Sequence, residues 1–282
     1  MNKTKTNTKF DWQIVLFFAI AYAIAWSIAF TFGIEEHVVR SNYSPLVAAL
    51  VIYVPKFAFS ISGVILFALN GELKTLWQRL INFRVNIKWY VIAYFGPALL
   101  YFVSALLSYT LSDNGALTPL FPNNTVWMLT FASQSGIFFY FLFRGGMGEE
   151  LGLRGFAVPR LQQRFSPLQT ALIIGILWGL WHVPAWADQS MIEIVILMLA
   201  VIAFSIIFTF FYNKTTSLPV VMLMHAAINS FDDVYENIFP VLLEQDWELL
   251  YIGLILLSGI ILAFFINRTK PNMQKNEVGI TN

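Results

Sequence analysis

The stretch SMIEIVILMLAVIAFSIIFTFFY, residues 190–212, carries a single charged side chain, Glu193. An apolar run of about 20 residues is long enough to cross the hydrocarbon core of a bilayer as a helix. Other apolar runs lie on both sides of it along the chain. The predicted spans are residues 12–33, 45–69, 89–110, 125–144, 168–187, 190–212, 217–231 and 248–267, of which the seventh is the shortest. The sequence therefore predicts an all-α, polytopic membrane helix bundle with about eight transmembrane helices.

Composition agrees with a membrane protein that has no separate soluble domain. Of the 282 residues, 58% are hydrophobic and 12% are charged, about half of the roughly 25% charged residues that a soluble domain carries. The connections between spans are short, so residues 1–282 are predicted to form a single integral membrane domain. The net charge of +1 gives no indication of nucleic acid binding, and the absence of cysteine excludes disulfides and thiolate catalysis.

Basic residues fall in alternate loops, which predicts the orientation of the chain. Fifteen of the 17 lie in the N-terminal tail, in loops 70–88 and 144–167, at Lys214 and in the C-terminal tail. The other two are Arg40, in a loop on the opposite side, and Lys56, within the second span. Loop 231–248 carries six acidic residues and no basic one. Because Lys and Arg are enriched in cytoplasmic loops, we expect a multi-pass protein of the cell membrane with both termini cytoplasmic.

The first span has an alternative interpretation as a cleavable signal peptide. Lysines precede an apolar run that contains the small residues Ala21 and Ala23. The run continues to Phe32, beyond the usual length of a signal peptide's hydrophobic region, which favours an uncleaved first helix. Cleavage would leave the orientation of the remaining helices unchanged.

Polar side chains inside or beside the apolar spans are the informative ones, because a charge at mid-bilayer costs about 2.5–3.5 kcal/mol or more. Lys56, beside Pro55, lies within the second span and either snorkels to the interface or pairs with a carboxylate. The others are His182 in the fifth span, His225 and Asn229 in the seventh, and Glu149, Glu150 and Arg154 just past the fourth.

Each of these residues has a purely structural interpretation. Glu150 and Arg154, four residues apart, could form an ordinary helix ion pair. His182 could make an interhelical hydrogen bond, and His225 with Asn229 could provide polar contacts between helices.

Together, the same residues could hydrolyse an amide bond without a serine or cysteine nucleophile. A carboxylate and an imidazole can share a water molecule and remove its proton. An imidazole N–H and an asparagine N–H on one helix face can stabilise an oxyanion. His225 and Asn229, four residues apart, share such a face.

Three short motifs resemble those of the CAAX-protease and bacteriocin-processing (Abi) family of intramembrane glutamic endopeptidases, also called type II CAAX prenyl endopeptidases. EELGLR, residues 149–154, is similar to the family's Glu-Glu-x-x-x-Arg. WGLWH, residues 178–182, is similar to Phe-x-x-x-His, with Trp178 in place of the phenylalanine. HAAIN, residues 225–229, matches His-x-x-x-Asn. The resemblance covers residues 144–230, which we take as the predicted catalytic core.

The resemblance implies a role for each matched residue. Glu149 would be the general base that activates water, assisted by His182. Glu150 would support the site, and Arg154 would hold the two carboxylates in place. The histidine and asparagine of the third motif would form the oxyanion hole.

The resemblance also implies a substrate class. It would be a peptide or a prenylated protein that reaches the site from the membrane or the cytosol, for CAAX-type C-terminal processing or for bacteriocin or leader processing and self-immunity. No cofactor is expected, and a zinc site of Glu149, His182 and His225 is the alternative. The rival is a non-catalytic immunity or scaffold protein of the same fold, or a transporter with an ion or proton path through Lys56, Glu149 and His182. The sequence has no internal repeat of the kind that transporters show.

The charge pattern generates a topology prediction that single cysteines can test, since the chain has no native cysteine. Lys275→Cys, in the tail, should resist an impermeant thiol reagent in intact cells. Glu236→Cys, in loop 231–248, should react with it. Labelling of the tail variant alone would contradict the orientation.

Overall fold

The computed structural model describes residues 12–33, 36–111, 136–238 and 247–269, and of residues 36 and 232–238 it describes only the backbone. Within these ranges every regular element is helical, so the predicted all-α membrane bundle is confirmed. The first six helices are α1 (Trp12–Phe32), α2 (Glu36–Asn42), α3 (Pro45–Tyr53), α4 (Ala58–Leu69), α5 (Leu73–Leu80) and α6 (Ile87–Leu111). The last four are α9 (Pro167–His182), α10 (Met191–Thr215), α11 (Leu218–Ile238) and α12 (Trp247–Ile266).

Between α6 and α9 lies a chain of short helical pieces, residues 136–161, which we call the motif segment. Residues 136–141 are helical, and π-helical turns at Leu142–Met147 and Leu153–Ala157 flank α7 (Gly148–Gly152), which is followed by α8 (Val158–Leu161).

Six helical stretches in the described part of the chain are long and apolar enough to cross a membrane, and they coincide with six predicted spans. They are Trp12–Phe32, Pro45–Leu69, Ile87–Leu111, Pro167–Trp186, Met191–Thr215 and Trp247–Ile266. The predicted span 217–231 corresponds to a shorter apolar helix, Leu218–Phe231. The predicted span 125–144 lies largely outside the described residues, as do both lysine-bearing tails and the side chains of most of loop 231–248.

The motif segment crosses the bundle, so the expected loop at 144–167 is wrong. Arg160 Nε donates to Gln13 Oε1 at 3.2 Å, beside the start of α1. Arg144 lines a cavity together with Gly33, just past the end of α1. At about 1.5 Å per residue, the chain between the two arginines covers about 24 Å, most of a bilayer's ~30 Å hydrocarbon core. Glu149 therefore lies inside the bundle, not past the end of a span.

The loops that the charge pattern assigns to the cytoplasm meet at one end of the bundle, which we call the basic end. Three groups of contacts join them: Arg160 to Glu72 at 2.5 Å, Gln162 to Asn213 at 3.0 Å, and Asn82 to Thr216 at 3.1 Å. The side of the membrane on which this end lies stays a prediction.

Two helices begin with a capping box, which fixes where the chain re-enters the bundle. Ser166 caps α9 with Gln169, and Ser190 caps α10 with Glu193. In each case the serine hydroxyl accepts from the backbone N–H of the residue three positions later, and that residue's side chain accepts from the serine backbone N–H. These N–H groups have no partner within the helix. The one charge in the 190–212 span is therefore a helix cap.

Glycines let the motif segment lie directly on the backbone of the second span. A Cβ atom built on Gly148 would come within 2.5 Å of the Lys56 carbonyl oxygen, and one built on Gly152 would overlap the Phe59 carbonyl. Ser60 Oγ donates to the Met147 carbonyl at 2.6 Å in the same contact. Small residues allow such close approach of helices in membranes, so this contact fixes the height of α7 in the bundle.

The backbone contact at Gly152 predicts a large difference between two glycine-to-alanine changes. Gly152→Ala should destabilise the protein by about 1–3 kcal/mol or more, because the Phe59 carbonyl cannot move aside as a flexible side chain can. The matched change Gly253→Ala in α12 meets nothing within 4 Å and should be neutral or stabilising by up to about 1 kcal/mol. Melting temperatures in one detergent compare the two, and equal values would contradict the contact.

Candidate active site

The two adjacent glutamates lie between two π-helical turns. Leu142–Met147 precedes α7 and Leu153–Ala157 follows it. Single π turns inserted into α-helices are frequently found at functional sites. Within α7, Glu149 and Glu150 point about 100° apart, so the two carboxylates meet different partners.

Glu150 joins the first motif to the third. Its Oε1 accepts a hydrogen bond from Arg154 Nη1 at 3.0 Å and another from His225 Nδ1 at 2.8 Å. Glu150 and Arg154 are fully buried, and His225 is 5% exposed. The predicted ion pair is therefore present, and the contact with His225 adds a partner that the helix spacing alone did not indicate.

Arg154 is also enclosed by aromatic rings. Its guanidinium carbon lies 5.0 Å from the ring centre of Trp178 and 5.0 Å from that of Phe208. A guanidinium is attracted to the faces of aromatic rings, more strongly where water is excluded. The rings thus help to hold the charge that keeps Glu150 in place.

Glu149 faces the second motif, where its partner is Trp178. The indole Nε1 donates to Glu149 Oε2 at 2.6 Å, and the two residues are 4% and 8% exposed. The carbonyl oxygen of Trp178 accepts from His182 Nδ1 at 2.9 Å. Because a carbonyl can only accept, Nδ1 carries a proton, and in the neutral ring Nε2 carries a lone pair.

Side chains of α1 fix the last turn of α9, where His182 lies. Tyr22 Oη donates to the carbonyl of Leu177, and Trp26 Nε1 donates to that of Trp181 at 3.1 Å. The last carbonyls of a helix have no partner within it. The Trp26 bond therefore satisfies one of these carbonyls, and the two bonds together hold the end of α9 and with it the His182 ring, which also stacks on Trp186.

The third motif lies against the backbone of the first π-helical turn. A Cβ atom built on Gly145 would come within 2.7 Å of Asn229 Nδ2 and 3.0 Å of His225 Nε2. The two side-chain nitrogens therefore lie next to each other on one face of α11. Any residue larger than glycine at position 145 would displace them.

The structure brings all six predicted site residues together, and Trp178 lies at their centre. Its N–H binds Glu149, its carbonyl binds His182, and its ring contacts Arg154 and, at 5.7 Å between ring centres, His225. In the sequence this residue was notable only as a tryptophan in place of the phenylalanine of the second motif. The signal that could have revealed it is the indole N–H, a donor that phenylalanine lacks.

A cavity of about 290 Å³ reaches His182, and we call it the His182 cavity. It lies between the C-terminal half of α1, α3, the start of the motif segment and the end of α9, far from the basic end. Substrate access from the membrane or the cytosol stays a prediction, because it depends on which face of the membrane this end of the bundle lies at. In the predicted orientation this cavity lies toward the face opposite the cytoplasm.

The three residues considered as zinc ligands are engaged in other contacts. The Nδ1 atoms of His182 and His225 donate to Trp178 and Glu150, and Glu149 accepts from Trp178. Across the described ranges, no group of three or more His, Asp or Glu side chains is arranged to hold a metal ion. Metal-binding histidines commonly donate one ring N–H to a carbonyl or carboxylate and bind the metal through the other nitrogen, so the choice between a zinc site and a metal-free site stays a prediction.

Residues 131–231 match a protein-family model described as Type II CAAX prenyl endopeptidase Rce1-like. The predicted family resemblance is confirmed. The matched residues contain all three motifs and both π-helical turns. CAAX prenyl protease 2 of Methanococcus maripaludis is 50% identical to this chain over 36 residues, 13% of the length of either protein. The chain thus aligns with only a small part of that relative.

The bond between Trp178 and Glu149 predicts the effect of restoring the family's phenylalanine in this Rce1-like segment. Trp178→Phe keeps an aromatic ring against Arg154 and removes the N–H donor. Hydrogen bonds to charged groups contribute about 1.5–3 kcal/mol, so kcat should fall about ten- to hundred-fold if Glu149 is the base. Trp89→Phe, on α6 against Phe211, is the matched control and should keep kcat. Unchanged turnover of Trp178→Phe would contradict the role of this bond.

Proposed function

We propose that this protein is an intramembrane endopeptidase that hydrolyses a peptide bond with a glutamate-activated water. The observation that carries the proposal is the convergence of the three motifs around Trp178, with Glu149 and the third-motif nitrogens on separate helices. The match of residues 131–231 to the Rce1-like family supports it.

Glu149 is the proposed general base. Trp178 binds its Oε2, which orients the carboxylate so that Oε1 can take a proton from a water molecule. The lone pair on His182 Nε2 can accept a hydrogen bond from the same water and orient it. The hydroxyl then adds to the carbonyl carbon of the substrate, and the proton passes to the departing amine nitrogen as the C–N bond breaks.

The third motif is the proposed oxyanion hole. Asn229 Nδ2 and His225 Nε2 are adjacent, as two donors to one oxygen must be. Because His225 Nδ1 already donates to Glu150, donation from Nε2 requires the doubly protonated ring, in which both nitrogens are donors. Glu150 supplies the negative charge that balances this ring, and Arg154 holds Glu150 in position.

The substrate is proposed to be a peptide or a prenylated protein embedded in or entering from the membrane. The name of the Methanococcus relative describes a CAAX prenyl protease, which favours CAAX-type C-terminal processing over leader or bacteriocin processing. The reaction is proposed to need no metal, since its base, its water-orienting imidazole and its oxyanion donors are all side chains of this chain.

Glu149→Gln should abolish cleavage, whereas Glu150→Gln should keep part of it and lose stability. A general base contributes roughly 10²–10⁴ in rate, while breaking a buried ion pair costs about 3–5 kcal/mol. The measurement is the cleavage rate of prenylated and unprenylated peptides by purified protein, together with the melting temperature. Glu193→Gln, at the α10 cap, is the matched control and should keep the wild-type rate.

Three outcomes would contradict the proposal. Near wild-type turnover of Glu149→Gln would exclude it as the base. Loss of activity to a chelator, restored by stoichiometric zinc, would overturn the metal-free mechanism. Wild-type protein that cleaves none of the peptides would favour a non-catalytic protein of the same fold.

A further inference from the structure

The second π-helical turn contains a main-chain carbonyl whose usual helical donor is missing. In an α-helix the carbonyl of one residue accepts from the N–H four positions later. For Gly155 that later residue is Pro159, which has no N–H. Gly155 is buried, and a buried carbonyl without a partner costs free energy comparable with a lost hydrogen bond. This carbonyl therefore needs a donor other than its α-helical one.

Arg79, on α5, supplies such a donor. Its Nη1 donates to the Gly155 carbonyl oxygen at 2.6 Å, across 76 positions of the sequence. The arginine is partly buried, and its guanidinium carbon lies 6.0 Å from the centre of the Phe67 ring. Hydrogen bonds in which one partner is charged are roughly twice as strong as neutral ones. The contact is therefore well suited to fix the main chain of the π-helical turn.

The same face of α5 also makes an apolar contact with this turn. A Cβ atom built on Gly155 would lie 3.6 Å from Leu76 Cδ1 and 3.3 Å from Leu218 Cδ1, at the start of α11. Leu76 and Arg79 are three residues apart, so they are neighbours on the helix surface. The turn is therefore held by a hydrogen bond and by side-chain packing from one short helix.

The turn held in this way carries the buried arginine of the site. Arg154 directly precedes Gly155, and its Nη1 donates to Glu150 Oε1 at 3.0 Å. The same carboxylate oxygen accepts from His225 Nδ1 at 2.8 Å. A shift of the main chain beside Arg154 would therefore disturb both bonds to Glu150.

We propose that Arg79 is a positioning residue for the reaction, an assignment that rests on the proposed peptidase function. Its bond to the Gly155 carbonyl fixes the second π-helical turn. The turn holds Arg154 against Glu150, and through that carboxylate it sets the orientation of the His225 ring. Helix α5 thus supports the site although it lies at the basic end and outside the part of the chain that matches the family model.

The first test is the cleavage rate of Arg79 variants. Arg79→Met removes the donor and should lower kcat per folded protein about ten- to hundred-fold with little change in KM, because small displacements of reacting groups cost rate. Arg79→Lys keeps a cationic donor and should recover most of that loss. Arg84→Met, at an exposed arginine in the loop after α5, is the matched control and should keep the wild-type kcat. Unchanged kcat in Arg79→Met would overturn the proposal.

A double-mutant cycle tests whether the Gly155 carbonyl is the cause. Pro159→Ala restores a backbone N–H that can donate to this carbonyl. With that N–H present, Arg79→Met should lower kcat and the melting temperature several-fold less than in the parent chain, because a second donor serves the same acceptor. Equal losses in the two backgrounds would overturn the assignment of Arg79 to this carbonyl. If Arg79→Met does not fold in the parent chain, the double variant should fold, and its failure to fold would overturn the assignment in the same way.

A signal from the site that does not depend on turnover separates this proposal from the peptidase function. The chain has three histidines, so the ring signals can be resolved by NMR in histidine-labelled protein, and His225→Gln assigns one of them. Arg79→Met should shift the His225 signal and leave that of His37, exposed on α2, unchanged.

The combined outcomes distinguish the two proposals. Wild-type protein that cleaves no peptide, beside a His225 signal that shifts in Arg79→Met, would contradict only the peptidase function. Normal cleavage by the wild type, with neither a shift of that signal nor a change of kcat in Arg79→Met, would overturn only the positioning role.

Discussion

The fully buried charge of Arg154 is the constraint to which the centre of this bundle is adapted. Removing a guanidinium from water costs several kcal/mol even after relaxation, and only well-placed partners offset that cost. Here the partners are the Glu150 carboxylate at one edge and the faces of Trp178 and Phe208. One ion pair therefore draws the motif segment, α9 and α10 to a common point, and the shared Glu150 oxygen brings α11 to the same place through His225.

The two neighbouring glutamates can have different roles because the ion pair with Arg154 fixes only Glu150. Glu150 is committed to Arg154 and His225, so its carboxylate is part of the scaffold. Glu149, a third of a helical turn away, has one oxygen on the Trp178 indole. The different roles of the two glutamates follow from their directions on the helix and from the fact that Arg154 binds Glu150.

Local patterns in the sequence predicted the parts of the structure that depend on local physics. Hydropathy located six spans because each helix satisfies its own backbone and needs only apolar side chains. The pair of Glu150 and Arg154 followed from their spacing along one helix. The motif segment was missed as a membrane-crossing element because charges, glycines and two π-helical turns interrupt its apolar pattern. The contact of Glu150 with His225, between distant parts of the chain, and the indole donor of Trp178 depend on tertiary packing that no single sequence window contains.

The backbone contact between the motif segment and the second span has a consequence for how the molecule can move. Gly148 and Gly152 lie directly on backbone carbonyl groups of the second span. If the motif segment slid along that span by a fraction of a helical turn, the side chains beside these glycines would collide with its backbone. These two elements must therefore shift as one body. Any rearrangement around a substrate is therefore expected of helices that meet this body through side chains, such as α1 together with the end of α9 that it holds.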